Sequence, residues 1–219
     1  MTRLLILIVT LAALVSIGFS QKRAITREEF SERYSAALER SKEFPRTHDS
    51  KQVATVGGNV RSFTWKWMYA EQFNSHLKFE EKSAKGVVSF EMISIAENTF
   101  CKIGDGEWKK TQGTCDVRVP WMVTQMSWMM ESGAKSEFFV ESITDGIRYT
   151  EIGRFPKRTL PSGNEAPPRT YESVFVTDAK GRMVSQEYTS YETGTIKGPP
   201  KWIDTFTYDP NIKIEAPIR

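Results

Sequence analysis

Histidine and cysteine are scarce in this 219-residue chain, two of each, and that scarcity removes much chemistry at the outset. With only His48 and His76 to draw on, the zinc-helix pattern His-Glu-x-x-His is absent. So are the Gly-x-Ser-x-Gly elbow of serine hydrolases and a Gly-Lys-Ser/Thr phosphate loop. Gly104-Asp105-Gly106 lacks the third glycine of a dinucleotide fingerprint and reads as a hairpin turn. Excess charge is missing too. The 30 Lys and Arg are interspersed with 27 Asp and Glu, a formal net charge of +3, which excludes the basic stripe of a nucleic-acid binder.

Adjacent acids such as Glu28-Glu29 and Glu80-Glu81 diverge on a helix or strand and read as solvated charges. Asp204 and Asp209 read as turn and surface acids, and both histidines as surface residues, His48 in a polar loop after the first helix. No enzyme activity, metal or cofactor is expected on these grounds. No Pro/Ser-rich linker divides the chain and no repeat period stands out, so residues 21–219 read as one domain with its own core.

Long hydrophobic runs are confined to one place. Arg3 precedes an apolar stretch from Leu4 to Val15, and Ser16-Ile17-Gly18-Phe19-Ser20 follows with small residues where a signal peptidase inspects the chain. Residues 1–20 therefore read as a signal peptide cleaved after Ser20. The run is shorter than the ~20 residues a bilayer crossing needs, and Lys22-Arg23 puts positive charge on the translocated side. The expectation is an exported chain, periplasmic or extracellular, soluble after cleavage, and without a cysteine near the cleavage site for lipid attachment. In an oxidising compartment Cys101 and Cys115 read as one disulfide. If turns sit at Asp105-Gly106 and Gln112-Gly113, however, the two cysteines fall on strands separated by a third, roughly 10 Å apart, beyond the ~7 Å Cα limit for a bridge. A bridge then requires the stretch from Lys109 to Gly113 to leave the sheet.

What is present is pattern. Thr26-Arg27-Glu28-Glu29 is a capping box, and Phe30, Tyr34, Leu38 and Ser41 continue one face of a helix until Phe44-Pro45 stops it. Phe63, Trp65, Trp67 and Tyr69 then alternate with Thr64, Lys66 and Met68, a strand with its aromatics on one side. About nine strands follow one another through hairpin turns such as Glu97-Asn98, Asp145-Gly146 and Asp178 to Gly181, and Lys157 to Arg169, with its prolines, reads as a surface loop. Two helices cover a sheet of this size only if it curls around them. The expected fold is mainly β (α+β): a strongly curved antiparallel sheet or incomplete barrel with the first helix and a second, central one on its concave side. A sandwich with a filled core is the alternative.

The central helix is the segment from Pro120 to Gly133. On a helix Met122, Met126, Met129 and Met130 fall at i, i+4, i+7 and i+8, with Trp121 and Trp128 beside them, so both sides are apolar and the segment must be buried. Methionine suits an irregular or exchangeable partner surface. Plain core and the lid of an apolar cavity are both open on this pattern alone.

The order of elements resembles a known superfamily. A signal peptide, an amphipathic helix and a meander precede the hairpin Phe100-Cys101-Lys102-Ile103-Gly104-Asp105-Gly106-Glu107-Trp108-Lys109; a helical insertion, further strands and the ending Phe206-Thr207-Tyr208-Asp209-Pro210-Asn211-Ile212-Lys213-Ile214 follow. This resembles the periplasmic lipoprotein carriers (LolA-like) and their actinobacterial lipid-binding relatives (LppX-like), over essentially the whole mature chain. The resemblance implies a half-barrel closed by helices around a cavity for acyl chains, with lipid or acylated protein as ligand and membrane-associated donor or acceptor proteins as partners. It places the cavity lining on Phe63, Trp65, Trp67 and Tyr69 and on Trp121, Met122, Met126, Trp128, Met129 and Met130. A secreted protein-interaction module that exposes the same aromatic and methionine surface is the competing class.

Overall fold

The computed structural model describes residues 22–56, 59–70, 74–111, 115, 135–159, 165–195 and 197–218. The expected central helix and all six of its site residues, Trp121 to Met130, lie outside them, as does the expected signal peptide, residues 1–20.

The described chain is built of fourteen strands and one helix: β1 (Arg23–Ile25), α1 (Arg27–Lys42), β2 (Arg46–Val56), β3 (Asn59–Tyr69), β4 (Ser75–Ser83), β5 (Gly86–Ile95), β6 (Asn98–Ile103) and β7 (Lys109–Thr111), then β8 (Lys135–Ile143), β9 (Gly146–Phe155), β10 (Arg158–Thr159), β11 (Glu165–Ala166), β12 (Arg169–Asp178), β13 (Met183–Glu192) and β14 (Trp202–Tyr208). Twelve of these strands form one open antiparallel sheet in the order β1-β8-β9-β12-β13-β14-β2-β3-β4-β5-β6-β7. The count exceeds the nine read from sequence. β2 joins the two halves, pairing β14 on one side and β3 on the other. Within the proline-bearing loop β10 and β11 pair as a separate two-stranded ribbon.

One half of the expected capping box forms, while the Glu29 carboxylate is taken by Arg23 at 3.1 Å. Thr26 Oγ1 accepts the amide of Glu29 at 3.1 Å, satisfying one of the donors that a helix start leaves free. One face of α1 then buries Phe30, Tyr34, Ala37 and Ser41. Phe30 lies 5.2 Å from Phe138 on β8 and 5.2 Å from Phe175 on β12, and the same cluster takes in Met183 on β13 and Phe206 on β14. From β8 to β14 a flat sheet would spread roughly 19 Å, whereas a helix is about 10 Å across. The sheet therefore curves around α1. A register shift between Val176 and Thr177 on β12 sharpens the twist at this point. The turn from β12 to β13 is fixed by Asp178, whose Oδ1 accepts the amides of Lys180 and Arg182 at 2.9 Å each, and by Gly181 at φ 76°, where a side chain is disfavoured.

The register puts nearly all the aromatics on one face. A single cross-strand row runs Val140, Tyr149, Phe175, Gln186, Asp204, Ser50, Trp65, Phe79, Phe90 and Ile103, and the alternate residues of each strand face the other way. α1 covers the half of this inner face around Phe175, while Phe63, Leu77, Phe79 and Phe90 make a second buried cluster on the other half.

Cys101 and Cys115 are bridged, with Cα atoms 5.9 Å apart. The chain does not leave the sheet as early as the bridge seemed to demand. β7 holds to β6 through Thr99↔Thr111 and Cys101↔Lys109, and Cys115 is not on a strand. No helix among the described residues is long and apolar enough to cross a membrane.

Candidate functional site

The four aromatic positions of β3 occupy the inner face, as their alternation requires. Phe63 is buried at 2% exposure, and Trp65, Trp67 and Tyr69 are half-buried. Phe63 and Trp65 stack at 5.9 Å, Trp65 meets Phe79 at 5.6 Å, and Trp67 meets Tyr69 at 5.6 Å. Tyr69 has a structural task. The Arg46 guanidinium lies 4.1 Å from its ring and donates to the Ser41 carbonyl at 3.2 Å, closing the end of α1. Burial pushes the Tyr69 hydroxyl up to about 12, with Arg46 pulling the other way.

Between the two apolar halves lies a polar strip. Asp204, fully buried, accepts from Trp202 Nε1 at 2.7 Å and lies 3.2 Å from His48 Nε2. Trp202 Nε1 also donates to Ser50 Oγ at 2.9 Å, and the Tyr34 hydroxyl reaches from α1 to Gln186 Oε1 at 3.1 Å. Burial, followed by the Asp204 charge, raises the Tyr34 pKa and keeps that hydroxyl a donor. Asp204 is thus no surface acid, and His48 belongs to strand β2, stacked on Phe206 at 4.4 Å, not to a loop. Glu81 departs from expectation as well: it is 8% exposed and held by Arg61 at 3.1 Å.

A second polar knot sits on β9 and β12. The Tyr171 hydroxyl donates to Glu151 Oε1 at 2.6 Å and lies 3.0 Å from Ser136 Oγ. Glu151 is 1% exposed, and burial, partly offset by those hydrogen bonds, raises its pKa above the ordinary carboxyl range. Its Oε2 and the oxygen of Ser173, its direct register partner, have no hydrogen-bond partner among the described residues. Gly153 makes room for the ring: a β-carbon there would overlap Cε1 and Cζ of Tyr171. Held this way, Tyr171 lies between Phe155 at 5.4 Å and Tyr188 at 6.0 Å.

Those two rings open onto a cleft of about 1050 Å³ at the end of the sheet where β2 and β9 finish and β12 and β14 begin. Phe155, Tyr188, Trp202, Pro167 and Pro200 line it, with Ala54 and Gln52 at its side. Its volume is at the upper end of the range for small-molecule sites. None of the four β3 aromatics lines it, although Gln52 stands directly across from Phe63. Trp65 contributes instead to a smaller groove of about 430 Å³ among Asp49, Lys66, Lys78 and Glu91. The sequence marked neither Phe155 nor Tyr188 nor Trp202. The prolines at 167, 168, 199 and 200 were the available signal, since they hold loops open where strands end.

No group of three or more His, Cys, Asp or Glu among the described residues forms a metal site. The sequence matches no family model and no curated protein. Among solved structures the chain is similar to LprF from Mycobacterium bovis, with 11% sequence identity and a TM-score of 0.42 over 91% of this chain and 99% of that one. At this distance the likeness says nothing of what the chain binds.

Proposed function

We propose that the protein is an exported, non-enzymatic binder or carrier of an apolar or acylated molecule, lipid or acylated protein. One observation carries the reading: a curved sheet with one aromatic face that ends in a cleft of about 1050 Å³ floored by Phe155, Tyr188 and Trp202. Each methylene taken from water contributes ~0.8 kcal/mol, so eight buried methylenes are worth roughly 6 kcal/mol before ordering costs. Phe63, Trp65 and Trp67 form a second apolar surface on the same face, across Gln52, Ser50 and His48 from the cleft side. In this reading Trp121, Met122, Met126, Trp128, Met129 and Met130 supply an adaptable cover, because methionine repacks around chains of different shape.

Two substitutions test it with a fluorescent fatty-acid probe. Trp202→Ala should weaken uptake by removing part of the cleft floor, and Met126→Asp with Met129→Asp should abolish uptake while the far-UV spectrum of the sheet stays intact. Unchanged uptake in both variants would sink the reading. A protein-interaction role is favoured by one observation, the exposed Val60, Val87, Val88 and Ile103 near the strand ends of the β3 to β6 half. A lipid-free protein that dimerises through that rim would support it.

A further inference from the structure

Two cations stand on the exposed rim of the cleft. Arg169 opens β12 and Lys201 immediately precedes β14; both line the cleft beside Tyr188 and Trp202. Neither makes an ion pair with another described residue, whereas Glu165 on the same rim is taken by Lys157 at 2.6 Å. Glu192, the register partner of Arg169, lines the cleft too and forms no ion pair with another described residue. The rim thus holds two unpaired cations against one unpaired carboxylate. The Lys201 backbone is fixed on both sides, its amide donating to the Tyr188 carbonyl and its carbonyl accepting from Val53, each at 2.8 Å. A floor of Phe155, Tyr188 and Trp202 below a cationic rim has the polarity of an amphiphile: apolar inside, positive at the edge.

We infer that the cleft selects amphiphiles with an anionic head, a phosphate monoester or a carboxylate, whose charge lies between Arg169 and Lys201 while the chain follows Phe155, Tyr188 and Trp202. This rests on the reading of the cleft as an amphiphile site. Burial lowers the Lys201 pKa, and the charge of Arg169 adds to it in the same direction. A bound anion relieves that repulsion, and a neutral head of the same chain length cannot.

Calorimetric titration of the full mature chain with dodecyl phosphate, dodecyl maltoside and inorganic phosphate, below micelle concentrations, separates the contributions. Dodecyl phosphate should bind at least about tenfold more tightly than the neutral maltoside, the size of a charge-assisted contact. Inorganic phosphate alone should bind far more weakly than the amphiphile. In the Arg169→Gln, Lys201→Gln double variant the preference should fall to about unity, and in Lys201→Glu it should move toward dodecyltrimethylammonium. Equal affinity for phosphate and maltoside in the unaltered protein overturns this inference and leaves the apolar-binding reading standing. Inorganic phosphate binding as tightly as the amphiphile also overturns it, because the site would then be an anion site without a chain. Binding of no amphiphile at all overturns both readings.

Discussion

Gly153→Ala should be among the most damaging small substitutions in the protein. The added methyl overlaps the Tyr171 ring, and the ring is pinned by its hydroxyl bond to buried Glu151 and by Phe155 and Tyr188 around it. Overpacking of this kind costs about 1–3 kcal/mol. If the ring moves away, Glu151 loses its Tyr171 partner, a further ~1.5–3 kcal/mol for a bond to a buried acid. Against this stands the ~0.4–1 kcal/mol that alanine contributes by restricting the unfolded chain. The net expectation is a loss of about 2–4 kcal/mol in urea unfolding followed by tryptophan fluorescence with the disulfide intact. Tyr171→Phe alone should cost about 1.5–3 kcal/mol, and the double variant clearly less than the sum, because both single changes break the same bond. A Gly153→Ala protein within about 0.5 kcal/mol of the original, or strict additivity in the cycle, would refute the reasoning.

Three further outcomes are expected. Because burial raises the Glu151 pKa, the folded state holds that proton more tightly than the unfolded chain; its stabilising effect is complete below the ordinary carboxyl value and is lost as pH rises through the raised one. Glu151→Gln should therefore gain on the original protein from about pH 4.5 upward, read by urea midpoints across pH, and a constant difference would contradict the assignment. Replacing Cys101 and Cys115 by serine removes a cross-link spanning 14 positions and should cost about 2–4 kcal/mol, matched by the effect of reductant on the original protein. Thr26→Ala removes the acceptor for the Glu29 amide at the start of α1 and should cost about 1 kcal/mol in the same assay.

Where local signals were strong, the sequence was readable. The capping box at Thr26, the two-residue period of Phe63 to Tyr69 and the turn chemistry of Asp178 to Gly181 each specify their element through contacts a few residues apart. β2 was missed because its inner face carries His48, Ser50 and Gln52 and its outer face Thr47, Asp49 and Lys51, so no apolar alternation exists to be seen. It becomes a strand because β3 and β14 hold both of its edges. The burial of Asp204 was hidden for the same reason: its partners are separated from it by the length of the chain, apart from Trp202 two residues away. The cleft escaped sequence reading most completely. Phe155, Arg169, Tyr188 and Trp202 come from four strands, and only the register brings their ends together.

The central claim is that the aromatic face and its cleft hold an apolar chain. Native mass spectrometry of residues 21–219, incubated with mixed fatty acids and phospholipids and then freed of excess, tests it most directly. The account predicts a one-to-one complex that Trp202→Ala depletes; a polypeptide that stays bare across the whole mixture would contradict it.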